Sequence, residues 1–166
     1  MKIYTSYFYQ IRFFKPNQIP MSTADWDPKW FHNFQGQDNI WKDKNGVWNG
    51  IRLEDLNPSH CCSILPPECV RCVKEYRHPE ICSFLKDYKN GLHTKLNFDE
   101  LLECITKTAD YIQQLEGFTE DPEIMLILHE DPTNLCSERI PIQELFMEHG
   151  IEIKEWEKKN DLCNIR

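Results

Sequence analysis

Apolar positions change period along this chain, and the changes divide it into elements. Lys2 to Phe8 alternates and is rich in Tyr, the pattern of a half-buried strand. Asn17 to Thr23 reads as a short second strand. Ile124 to Leu128 is an unbroken apolar run bounded by polar residues, which predicts a buried strand. Phe98, Leu101, Leu102, Ile105, Ala109, Ile112 and Leu115 recur at helical spacing and predict a helix over 97–115. Asn97 can cap it, Glu100 stands three residues on, and Gly117 lies just past its end. A second amphipathic helix is expected over 137–150, with Ile142, Leu145 and Phe146 on one face. A short helix over 81–90 should end near Gly91, and Ile151 to Trp156 reads as a last strand. From residue 97 on, helices and strands alternate. With the early strands, this predicts an α/β fold: a parallel-rich sheet flanked by helices, Rossmann-like in arrangement.

An insertion of different character occupies roughly residues 25–90 of this single expected domain, 1–166. It holds four of the five tryptophans, Trp26, Trp30, Trp41 and Trp48, with Phe31, His32 and Phe34 beside them. Asp43-Lys-Asn45-Gly46 predicts a hairpin turn, with positive φ expected at both Asn45 and Gly46. Residues 57–82 are rich in Pro and Cys and predict an irregular loop. The aromatic stretch reads first as core or lid packing and second as a stacking platform for a nucleobase.

Composition narrows the classes. Hydrophobic residues make up 40% and charged residues 28%, ordinary for a globular domain. The net charge of −8 argues against an extended nucleic-acid track or an anionic lipid surface. No apolar stretch approaches the ~20 residues of a membrane span. The first residues lack a small-residue cleavage site, so a cytoplasmic location is expected. Eight cysteines in that setting point to metal, redox chemistry or burial before disulfides. Oligomeric state is not legible.

The richest chemistry lies between the 124–128 strand and the following helix: His129, Glu130, Asp131, Cys136, Ser137, Glu138 and Arg139. Open α/β sheets place their ligands at such strand-to-helix junctions. Cys136 at a helix N-terminus is a candidate nucleophile, because the dipole lowers a thiol's pKa. Its alternative is a small buried hydrophobe beside an ion pair. Arg139 and Ser137 are candidates to bind a phosphate or carboxylate together with backbone N–H groups. His129, Glu130 and Asp131 are candidates to orient or deprotonate a substrate group, with His129 and Asp131 expected on one face of the strand. Their alternative is loop solvation and capping. Thr5 and Ser6 end the first strand and Ser22 the second; these hydroxyls are expected to face the Cys136 loop and to bind a sugar or phosphate.

The Cys-rich stretch is a second candidate. Cys62, Cys69, Cys72 and Cys82 include one Cys-x-x-Cys pair, a spacing that can grip a tetrahedral ion. A structural zinc is the leading reading; reduced cysteines, a disulfide or an iron–sulfur cluster are the others.

Ile3-Tyr-Thr5-Ser6, Ile19-Pro-Met-Ser22, Trp30-Phe-His-Asn-Phe34, Ile40-Trp-Lys-Asp-Lys-Asn-Gly46 and Glu130-Asp-Pro-Thr-Asn-Leu-Cys136-Ser-Glu-Arg139 are motifs of one kind. In them the chain resembles the bacterial and phage domain-of-unknown-function family number 488, over about residues 2–156. Asp131 stands where the family motif has Lys, and Cys136 is followed by Ser-Glu-Arg instead of His-Arg. The resemblance implies a fold and a site position, not a reaction. Two functions are expected from the whole. One is a small enzyme or enzyme-like binder of a nucleotide or phosphorylated small molecule. The other is a non-catalytic module, with a metal-stabilised insertion, that binds protein or nucleic acid.

Overall fold

The computed structural model describes residues 1–33, 39–61 and 79–158. Two early strands, β1 (Lys2–Tyr7) and β2 (Gln18–Ser22), join two late ones, β5 (Glu123–Leu128) and β6 (Lys154–Glu155), in one parallel sheet ordered β2-β5-β1-β6. A separate antiparallel hairpin pairs β3 (Trp41–Lys42) with β4 (Trp48–Asn49). The described helices are the single turn α1 (Pro58–Cys61), α2 (Ser83–Thr94), α3 (Phe98–Glu116) and α4 (Arg139–Glu148). The fold is α/β, as the alternation of periods predicts.

β5 is apolar throughout because both of its faces are covered. Ile124, Leu126 and Leu128 pack with Leu85 and Leu92 of α2, Leu101 and Ile105 of α3, and Ile142 and Phe146 of α4. Met125 and Ile127 point the other way, toward Phe8, Ile11, Phe14 and Phe31. All five side chains from Ile124 to Leu128 are at most 2% exposed. At about 1.5–3 kcal/mol each, their burial is worth on the order of 10 kcal/mol before entropy is counted. Pro20 within β2 is tolerated because β2 is an edge strand and needs fewer donors.

The flanking is one-sided among the described residues. The buried side chains of α2, α3 and α4 all join one face of the sheet. The other face is covered by a 3-10 helix, Phe8–Phe13, and by the aromatic segment. The cause is the β1–β2 connection: residues 8–17 are too few for a helical crossover, which takes a dozen or more.

Several boundaries differ from expectation. Asn97 Oδ1 accepts from the Glu100 N–H at 3.4 Å, and Gly117 at φ 67° ends α3, both as expected. α2 does not stop near Gly91. A Cβ there would lie 2.0 Å from the Cys61 carbonyl oxygen, so the glycine serves close packing and not termination. α4 starts at Arg139, two residues late, because Ser137 Oγ accepts from the Arg139 N–H at 3.3 Å and turns the chain first. β6 keeps only two residues of the expected 151–156 strand. In the hairpin only Gly46 has positive φ, at 80°. Asp43 Oδ1 accepts from the Asn45 and Val47 N–H groups at 2.8 and 3.1 Å, which fixes a longer turn with Gly46 at its end.

Candidate functional site at the carboxyl edge of the sheet

The strands end together at Tyr7, Ser22, Leu128 and Glu155, and the residues that follow them line one edge. Register decides which side each group takes. Ser6, Ile127 and Ser22 are aligned across β1, β5 and β2, while Thr5 is aligned with Leu126 and with Glu155. Thr5 therefore faces the helices, and Ser6 and Ser22 face the aromatic layer. The three hydroxyls do not converge on the Cys136 loop, because adjacent strand residues point to opposite faces.

On the helical side a buried network forms. Arg139, 5% exposed, donates through Nε to Glu155 Oε2 at 2.7 Å. Its Nη1 donates to the Asp131 carbonyl at 3.2 Å and to Ser137 Oγ at 3.1 Å, and its Nη2 to the Glu130 carbonyl at 2.6 Å. Four of the five guanidinium N–H groups are thus engaged within the protein. Arg139 clamps the 130–137 loop to β6. This is not the exposed cation that an incoming anion requires. Thr5 Oγ1 donates to Glu155 Oε2 at 2.8 Å and accepts from Gln143 Nε2 at 2.8 Å. Glu155 Oε1 is buried and accepts no hydrogen bond among the described residues. Burial pushes the Glu155 carboxyl above its usual range, opposed by Arg139 and Thr5.

The loop residues divide. Asp131 uses its carboxylate within the loop: Oδ1 accepts from the Thr133 N–H at 2.8 Å and from the Thr133 hydroxyl. It shares no strand face with His129, because the strand ends at Leu128. Cys136 is 4% exposed and precedes the first helical residue by three positions, so the dipole acts less directly on it than a cap would allow. Its N–H donates to Asn134 Oδ1 at 3.0 Å. His129 lies on the aromatic side, hydrogen-bonded through Nε2 with the Trp26 carbonyl, its ring centroid 5.1 Å from that of Phe8.

Glu138 is the group with the most perturbed carboxyl. Burial first, and then the nearby carboxylates of Glu130 and Asp25, push it up to about 7 against the pull of Arg139. A carboxyl poised there exchanges protons near neutral pH. Glu138 belongs to the junction read from the sequence; what no sequence pattern supplied is the approach of Asp25 from the insertion.

Ser22 anchors the aromatic layer. Its Oγ donates to Asp27 Oδ1, whose other oxygen meets His32 Nε2 at 2.8 Å and Arg52 Nε at 3.2 Å. The Asp27 side chain is wholly buried, so this network ties the 25–33 stretch to the end of β2. Nothing in the sequence marked Asp27 or Arg52, since neither has a periodic or motif context.

Cys62, Cys69 and Cys72 lie outside the described residues. Cys82, expected with them as a metal ligand, is 5% exposed and precedes α2 directly. Cys61 is 1% exposed, and burial pushes its thiol up to about 11. Among the described residues no group of three or more His, Cys, Asp or Glu side chains is arranged to hold a metal ion. Nor is any helix among them long and apolar enough to cross a membrane. Compared with known proteins, the chain matches no family, no curated protein and no solved structure.

Proposed function

We propose that this chain is a small enzyme or enzyme-like binder that handles a nucleotide or phosphorylated small molecule at the carboxyl edge of its sheet. The observation that carries the reading is Glu138. A carboxyl raised to about 7, beside Glu130 and Asp25 at the edge where open sheets bind ligands, is suited to proton transfer near neutral pH. In this reading Glu138 exchanges a proton with the substrate. The Glu130 and Asp25 carboxylates act on it, and Arg139, Ser137 and Thr5 position the loop instead of touching the ligand. The loop sequence that resembles domain-of-unknown-function family 488 is the loop that Arg139 clamps.

The test is a panel of nucleotides and sugar phosphates screened by thermal shift and then for turnover. Glu138→Gln should keep binding and lose turnover, with the pH–rate limb near 7 removed. A Glu138→Gln variant with an unchanged pH–rate profile refutes the assignment. A second reading, the interaction module, has one observation in its favour: Trp26 is 77% exposed and Trp30 50% exposed, on the same side as His129. A module of this kind would also hold structural zinc through its Cys-rich insertion.

A further inference from the structure

The aromatic layer holds an open cleft of about 540 Å³, bounded by the 3-10 helix Phe8–Phe13, the turn Lys29–Phe31 and the hairpin. Glu138, Glu130 and Asp25 do not line it. Its walls are joined to one another. Phe8 meets Phe31 edge to face with ring centroids 5.4 Å apart, and Trp41 Nε1 donates to the Phe31 carbonyl at 3.0 Å. The cleft is therefore formed before a ligand arrives, and its volume falls within the roughly 300–1,000 Å³ of small-molecule sites.

Most of the lining is apolar: Phe8, Ile11, Trp30 and Trp41. Phe8 and Ile11 are buried, whereas Trp30 is 50% exposed. Trp30 meets Phe8 and Phe31 at interplanar angles of 89° and 80°. Those contacts hold the ring, and half of its surface is left open to a flat partner.

Two cations face the same space, Arg12 from the 3-10 helix and Lys44 from the hairpin turn. Lys42, on the same hairpin, is paired with Glu116 at 2.5 Å, but Arg12 and Lys44 form no ion pair among the described residues. Arg12 lies 3.8 Å over the Tyr9 ring and donates through Nε to the Tyr9 carbonyl at 3.0 Å. The stack orients the guanidinium and leaves its two terminal nitrogens as a fork for an anion. Asp43 is the one acid in the lining, and its Oδ1 accepts the Asn45 and Val47 N–H groups. Two cations against one acid leave a single positive charge in the cleft.

We propose that this cleft binds a planar aromatic carboxylate. The ring lies on Trp30, and the carboxylate meets the Arg12 fork with Lys44 across from it. The charge balance selects the anion: a carboxylate carries one negative charge, whereas a phosphate monoester carries about 1.5 to 2 at neutral pH. The proposal does not rest on the Glu138 reading, so its failure leaves that reading standing.

Isothermal titration of the full chain with 2-naphthoate tests this. The comparisons are 2-naphthyl phosphate, the uncharged naphthalene-2-carboxamide and the non-aromatic cyclohexanecarboxylate. 2-Naphthoate should bind at one site per chain and more tightly than any of the three. Trp30→Ala should weaken it about tenfold. Arg12→Gln should weaken it several-fold and abolish the preference over the carboxamide. Trp26→Ala, at an indole that is 77% exposed and outside the cleft, should change nothing. Should Trp30→Ala fail to fold, Arg12→Gln, which alters an exposed side chain, and the three comparison ligands decide the matter. No saturable binding at millimolar 2-naphthoate overturns the proposal. So does equal affinity for the carboxamide or for cyclohexanecarboxylate, tighter binding of 2-naphthyl phosphate, or an equal loss in Trp26→Ala and Trp30→Ala.

Discussion

Replacing Arg139 by Met tests whether this residue clamps the loop or waits for an anion. The side chain is 6% exposed and Glu155 is 18% exposed, so the pair is not screened as a surface pair would be. Met fills much of the same volume but leaves the Glu155 carboxylate buried, with Thr5 as its remaining partner. It also strips a donor from two loop carbonyls and from Ser137. Removing one member of a buried pair costs about 3–5 kcal/mol. That is a large share of the roughly 5–15 kcal/mol that holds such a domain. The assay is urea unfolding followed by circular dichroism. Glu155→Gln in the Arg139→Met background should recover a substantial part of the loss, since the neutral amide removes the unpaired charge. The deficit should also depend on pH. Without Arg139, the Glu155 carboxyl rises further above its unfolded value. A raised carboxyl contributes its stability at low pH and loses it as pH climbs through the folded pKa. The Arg139→Met deficit should therefore shrink toward pH 5 and be full at pH 8. A loss under about 1 kcal/mol, or strictly additive single and double variants, would refute the clamp.

Three further outcomes follow from the packing, the edge and the insertion. Gly91→Ala sets a Cβ 2.0 Å from the Cys61 carbonyl, a backbone atom that cannot swing aside, so thermal unfolding should show a loss of about 1–3 kcal/mol or more; an unchanged melting temperature would mean that α1 is not held against α2. For Glu138, whose folded pKa of about 7 lies above its unfolded value, stability should fall as pH rises from about 4.5 to 7, and Glu138→Gln should flatten that slope in denaturant midpoints. Elemental analysis of the purified chain should find about one zinc, lost with stability in Cys69→Ser plus Cys72→Ser; a zinc-free, equally stable chain removes the metal from the module reading.

Local pattern carried the elements that one side of the chain determines. β5 was legible because both of its faces are covered, which forces an unbroken apolar run. α3 was legible because its cap, stripe and terminal glycine all agree. The misplaced boundaries arise where tertiary contact overrides local preference. Gly91 resembles a stop signal, yet its missing Cβ admits the Cys61 backbone into the middle of α2. Ser137 resembles a helix cap, yet its hydroxyl serves Arg139. The Asn45-Gly46 pair resembles a two-residue turn, yet the Asp43 side chain captures the intervening N–H groups first.

The candidate site was legible in position but not in roles, and the reason is physical. Sequence shows that Arg139 follows Cys136 at a strand-to-helix junction, but not that β6 delivers Glu155 to its guanidinium from 16 residues on. One signal for that pairing was present. In the last strand, Ile151, Ile153 and Glu155 share a phase, so Glu155 stands where the alternation calls for a core residue. In the first strand Thr5 likewise shares the phase of Ile3. A charged and a hydroxyl residue in the inward phase of neighbouring strands require a buried partner, and the nearby arginine is the residue best able to bridge them. By the same reasoning, a buried residue whose polar demand is met inside the protein is scaffold. One whose proton is loosely held, as at Glu138, is where a ligand should be sought.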